Sequence, residues 1–199
     1  MARKILLLLV IGIICGISYF CIRNLIVPSN DAAEVIDPTK LFHGKMSFYA
    51  NSLEEVYEQS SIIIEATIGE RINEVEFGPE SYFIFTEAKV DTIIKGNGFN
   101  KGDSINIIQT KYLIEDPALE KGTEKILFLL KYDNKEYADN DDTYACVGGY
   151  QGVYDINRDG TVSNSLNRED LSPDAADMFR DFAEGRSRKE FVNKILNFN

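Results

Sequence analysis

Asp155, Asn157 and Asp159 stand at alternate positions ahead of Gly160 in the run Asp155-Ile156-Asn157-Arg158-Asp159-Gly160-Thr161. Calcium asks for that arrangement: hard oxygen ligands at every second residue and a glycine where the loop turns sharply. The twelfth position, which supplies a bidentate glutamate in a helix-flanked calcium loop, is Leu166 here. The flanks 152–156 and 161–163 carry strand patterns rather than helical ones. An Asx-rich hairpin turn is therefore expected, with Asp159-Gly160 as the turn dipeptide. The three oxygen-bearing residues are then the candidates for a partial calcium site, and no other cofactor is implied.

Other chemistry finds few groups to work with. Zinc needs clusters of His or Cys, and the chain has one histidine, His43, and three cysteines. Cys15 and Cys21 lie in an apolar leading run, and Cys146 is alone in the rest, which excludes a disulfide within the folded part. Cys146 reads as a small buried hydrophobe. A Ser-His-Asp or Cys-His pair would have to use His43, and no nucleophile motif accompanies it. Paired carboxylates are possible in a chain with 32 acids, so an envelope hydrolase built on two of them is a further alternative. The expectation is a protein that is not an enzyme.

Aromatic residues are the remaining signal. Tyr144, Tyr150 and Tyr154 cluster around Gly148-Gly149. Two readings are open: the rings fill the mouth of a barrel, or they form a rim for a protein or glycan partner, where tyrosine is favoured.

The elements that must position these residues follow from patterning. Ser52 and Glu55 form a capping box opening a short helix. Residues 61–72 alternate with period two, placing Ile62, Ile64, Ala66 and Ile68 on one face of a strand. Residues 76–80 read as a turn, and 81–94 as a second strand with Tyr82, Ile84, Ala88, Val90 and Ile94 inward. Phe83 and Phe85 point the other way and need cover. A third strand spans 103–110. Residues 126–130 are apolar on both faces, the mark of a strand covered on both sides. Gly148-Gly149 splits the next strand with a bulge or bend. Two helices close the chain. Ser172-Pro173 opens the first, with Ala175, Met178, Phe179 and Phe182 on its apolar face. A second capping box, Ser187 with Glu190, opens the other. These helices are the expected cover for Phe83, Phe85 and the outer face of 127–129.

Residues 5–22 are almost continuously apolar and approach the ~20 residues that span a bilayer. Arg3 and Lys4 precede them, so the run is expected to be a signal-anchor with the bulk of the chain outside the cell; cleavage and secretion is the alternative. Residues 1–23 are thus a transmembrane helix and the sole membrane contact. Residues 24–45 form a tether, 46–166 a β domain, and 167–199 two helices packed on it. The chain carries a formal net charge of −11, and all 32 acids lie beyond residue 30, against 18 bases. That excess repels nucleic acid. Five or six antiparallel strands with glycine bends suggest a mainly β fold, a small closed barrel.

The segments SLEEVYEQSSIIIEATI, FTEAKVDTIIKG, KGDSINI, LEKGTEKILFLL and GGYQGVYDI together resemble uncharacterised secreted or anchored proteins of Gram-positive bacteria. That group is similar to the netrin-module and tissue-inhibitor-of-metalloproteinases type of OB-fold. The resemblance implies an OB-like barrel over about 52–162 and a protein-binding habit. Those inhibitors chelate their target's zinc through an N-terminal cysteine. This chain has no cysteine near Ser52, so that mechanism is not implied.

Overall fold

The computed structural model describes residues 40–42, 44, 48–138, 142–164 and 173–198. The expected N-terminal helix over 5–22, most of the tether, His43, residues 139–141, Leu166 and the Ser172 cap lie outside them. No helix among the described residues is long and apolar enough to cross a membrane.

The domain is mainly β. Helix α1 (Leu53–Gln59) leads into β1 (Ile62–Gly78), β2 (Ser81–Lys95), β3 (Ser104–Thr110), β4 (Glu124–Lys131) and β5 (Thr143–Cys146). A 3₁₀ turn (Gly149–Gly152), β6 (Val153–Ile156), β7 (Val162–Asn164), α2 (Pro173–Ala183) and α3 (Arg188–Leu196) complete it. The strands form one sheet in the order β1-β2-β3-β5-β4-β6-β7, and β1 also pairs with β4. Five strands therefore close a cycle, β1-β2-β3-β5-β4-β1.

Two features correct the expected ring of five or six antiparallel strands. Seven strands are present among the described residues, and β3 and β5 run parallel, with Asn106 opposite Thr143. Nor is the barrel clean. β5 and β6 share one edge of β4, Leu129 pairing with Cys146 and Leu127 with Val153. The residues between leave the ladder as the 3₁₀ turn. Gly148 takes φ +62 there, and a Cβ on Gly152 would lie 2.7 Å from the Val147 carbonyl. Past this glycine break β6 pairs with β7 instead of following β3. The expected bend at the glycine pair is present, and it leaves β6 and β7 outside the five-strand cycle.

Alternation sorts the core into layers. Ile62, Ile64, Ala66 and Ile68 share the interior with Ala88, Val90, Leu127 and Leu129. Ile126 and Phe128 face the other way, under α1, α2 and α3, so β4 is covered on both sides as its sequence implies. Each of these large buried side chains contributes about 1.5–3 kcal/mol. Ile94 differs from expectation: a register shift in the β1–β2 ladder turns it toward the helical layer. In α2 Phe179 and Ala183 are buried and Met178 is exposed.

The helix ends follow local chemistry. The Ser187–Glu190 box is reciprocal: Glu190 N donates to Ser187 Oγ at 3.4 Å and Ser187 N to Glu190 Oε2 at 2.9 Å. At α1, Ser52 Oγ accepts from Glu55 N at 3.1 Å, but the Glu55 carboxylate reaches one residue further back, to Asn51 N at 2.7 Å. The described end of the expected tether belongs to the domain. Phe42 bridges Leu113, and Gly44 N donates to Glu115 Oε2 at 3.1 Å.

The β1–β2 hairpin is longer than the sequence pattern suggests. β1 continues to Gly78, which pairs with Ser81 across Pro79-Glu80. β4 accompanies β1 from Ile62 to Thr67. Beyond that point β2 and β3 continue alongside, and β1 is the outer strand among the described residues.

Candidate binding groove

The groove is built on the far half of that hairpin. Strand alternation sets Phe83 and Phe85 on the outer face, where Val75 lies opposite Phe83 and Asn73 opposite Phe85. Their cover is not the C-terminal helices, which are spent on Ile126 and Phe128. The segment between β4 and β5 covers them instead. Asn134 shapes it: its side chain accepts from Glu136 N at 2.9 Å and its carbonyl from Ala138 N at 3.2 Å. This turn returns Tyr137 and Ala138 over the sheet. Phe83 stacks on Phe77 at 4.1 Å, with Tyr137 edge-on at 5.3 Å and Tyr132 at 6.4 Å.

Between the hairpin and this segment lies a groove of about 370 Å³. Ile72, Val75, Phe85 and Tyr137 wall it, with Asn106 and Thr143 from β3 and β5 beneath. Ile72 is 51% exposed and Phe77, further along β1, 38%. The Thr143 hydroxyl is buried and makes no hydrogen bond to the described residues, a condition that costs about 1–3 kcal/mol. Desolvation and the adjacent Glu136 carboxylate push the Tyr137 phenol upward, so it stays a neutral donor.

A second opening, of about 230 Å³, lies between the sheet and α3. Glu65, Asp91 and Glu124 line it, with Lys101 and Arg188. Arg188 grips Glu65 with both arms, Nε lying 2.6 Å from Oε1 and Nη2 bonding Oε2. Thr67 Oγ1 donates to Asp91 Oδ2 at 2.7 Å. Burial pushes the Glu65 carboxyl up, but hydrogen bonds from Arg188 and Thr92 outweigh it and hold the group below its ordinary range. A proton donor for glycoside cleavage needs the opposite shift.

A raised acid does occur, away from both openings. Asp116 is pushed up to about 6 by burial, against opposing hydrogen bonds from Thr110 N at 2.7 Å and the Gln109 amide. It fixes the β3–β4 connection to β3. Burial, and secondarily the Asp116 charge, push the Cys146 thiol well up, which makes it unreactive.

The residues singled out from sequence lie elsewhere. Asp155 pairs with Lys125. Asn157 donates to Thr161 Oγ1 at 3.0 Å, and Asp159 accepts from Thr161 N at 3.0 Å and Thr161 Oγ1 at 2.6 Å. The expected hairpin turn is there, closed by Asn157 N to the Thr161 carbonyl at 2.8 Å, and its oxygens serve the turn. Among the described residues, no group of three His, Cys, Asp or Glu is placed to hold a metal ion. Of the two readings open for Tyr144, Tyr150 and Tyr154, the burial of all three agrees with rings that fill the interior. Tyr154 packs between Phe128 at 5.7 Å and Phe191 at 4.8 Å, and Tyr144 against Phe99 at 5.7 Å. The glycine bend turns the rings inward.

Sequence reasoning missed Tyr137, Asn106 and Thr143. Tyr137 carried a signal, as an aromatic residue inside a polar loop. No protein-family model matches the chain, and no curated protein matches its sequence.

Proposed function

We propose that the chain is a non-catalytic binding module, held outside the cell by residues 5–22 and built on an OB-like barrel. The five-strand cycle β1-β2-β3-β5-β4-β1 supports the OB-like reading, because a five-stranded, partly open Greek-key barrel closes in this way. The acid excess and the apolar leading run support display on the outer face of a bacterial membrane. The partner is a protein or an envelope glycan.

One observation carries the binding reading: the groove joins the exposed Ile72 and the half-buried Tyr137 to a buried hydroxyl that lacks a partner among the described residues. Exposed apolar patches rimmed by polar groups mark interaction sites. Binding of the full chain to isolated envelopes of its native host tests this. Tyr137→Ala is expected to weaken retention about tenfold, in line with the loss of an aromatic anchor. Unchanged retention by a folded Tyr137→Ala protein contradicts the reading.

A further inference from the structure

We propose that the groove at Tyr137 takes an uncharged sugar ring, held through an adjacent pair of its hydroxyls by Asn106 and Thr143. The proposal rests on the groove reading above and names its ligand class.

The floor is the first observation. Asn106 and Thr143 are register partners in the parallel β3–β5 ladder, so their side chains stand side by side on one face of the sheet. Ile105 and Ile107 take the other face, toward the interior. Asn106 N donates to the Asp142 carbonyl at 2.9 Å and Tyr132 N to the Thr143 carbonyl at 3.0 Å, so both backbones are fixed before a ligand arrives. Among the described residues the Asn106 side-chain amide makes no hydrogen bond, and neither does the Thr143 hydroxyl, on a residue 1% exposed. The amide carries an acceptor and two donors in one plane, and the hydroxyl both donates and accepts. Two neighbouring hydroxyls of a sugar complement the amide: one donates to Oδ1 while the other accepts from Nδ2. The Thr143 hydroxyl is then within the same pattern of polar groups.

The walls are the second observation, and they separate the possible occupants. Ile72, Val75, Phe85 and Tyr137 are largely apolar. A sugar ring is polar at its rim and carries C–H groups on its faces, so it meets walls and floor together. An apolar side chain of a protein partner suits the walls but buries the Asn106 amide and the Thr143 hydroxyl without partners, at the desolvation cost of each. The volume, about 370 Å³, lies at the low end of the about 300–1,000 Å³ of small-molecule clefts, which suits one ring.

Charge is the third observation. Among the described residues no Lys or Arg lines the groove, whereas Glu136 does, and Glu87 lies opposite Asn106 in the β2–β3 ladder. These carboxylates and the acid excess of the chain beyond residue 30 repel an anion. A phosphorylated or uronic sugar is therefore disfavoured against an uncharged one.

The test titrates the full chain, in micelles of a detergent without a sugar head group, with cellotetraose, mannotetraose and galactotetraose. The side-chain amide NMR signals of Asn106 report directly. The expected result is saturable binding of at least one tetrasaccharide with movement of those signals. Its fully O-methylated and uronic-acid counterparts are expected to bind about tenfold more weakly or less. Thr143→Ser keeps the hydroxyl and is expected to bind as the unaltered chain does, whereas Thr143→Val, of the same shape, loses about tenfold. The methyl glycoside of the preferred sugar distinguishes the sources: equal affinity supports a free sugar as ligand, and a gain with length supports a glycan chain. Three results overturn the proposal. One is a valine–lysine peptide that moves the Asn106 signals while no tetrasaccharide binds; the groove reading then stands with a protein partner. The second is tetrasaccharide binding that leaves the Asn106 signals in place or survives Thr143→Val undiminished, which puts the sugar elsewhere on the chain. The third is failure of every probe to bind, and the groove reading is then judged separately by envelope retention of Tyr137→Ala.

Discussion

The cleft at Arg188 and the groove at Tyr137 both border β1, yet their polar groups are in opposite states. In the cleft, Glu65 is held by both arms of Arg188, and Asp91 accepts from Thr67. The Glu65–Arg188 pair joins strand to helix across 123 residues of sequence, so it fixes α3 to the sheet. In the groove, Thr143 keeps a buried hydroxyl without a partner among the described residues, and Ile72 remains in solvent. The difference separates polar groups that the fold consumes from groups that it leaves available. The carboxylates of the cleft, Glu65, Asp91 and Glu124, come from separate strands and belong to the structural side of this division.

Breaking the cleft is expected to give the largest effect on stability. Arg188→Ala strands a carboxylate that is 6% exposed. The loss at neutral pH is about 2 kcal/mol, below the full figure for a buried pair because Arg188 is itself 43% exposed. Urea unfolding measures it. The pH dependence sharpens the point. The folded carboxyl lies below its unfolded value of about 4.3, so the pairing stabilises above that pH and is lost as pH falls through the folded value. The deficit of the variant therefore shrinks on acidification below about pH 4. An equal deficit at pH 7 and pH 3 contradicts the assignment.

Thr143→Val is expected to do the reverse on a smaller scale. Removing an unpartnered buried hydroxyl at constant shape leaves stability unchanged or raises it by about 1 kcal/mol. Binding to the native envelope falls if the hydroxyl is kept for a ligand. A marked loss of stability in this variant, read by the same unfolding experiment, places the hydroxyl among the groups the fold consumes and breaks the comparison.

What was legible in the sequence is what local rules determine. The Ser187–Glu190 box, the turn at Asp159-Gly160, the two-faced β4 and the glycine bend each depend on neighbours within a few residues. The hairpin extension was not legible. Asn73, Glu74 and Glu76 hide the alternation of Val75 and Phe77, because one face of an outer strand is free to be polar. The tyrosines show the limit most clearly: the glycine bend was foreseen, but whether it turns Tyr150 and Tyr154 inward depends on Phe128 and Phe191, far away in sequence. Glu65 did carry a hint, as a charge within an apolar strand run, but nothing local names Arg188 as its partner. The groove combines three such distant pieces, so its Asn106–Thr143 floor was invisible.

The central claim is that the groove, not the cleft, meets the partner. Photo-crosslinking on intact cells of the native host tests it most directly, with a photoreactive side chain placed at position 137 in one full-length chain and at position 101, beside the cleft, in another. The account predicts a discrete adduct from position 137 and none from position 101. An adduct from 101 with none from 137 would contradict it.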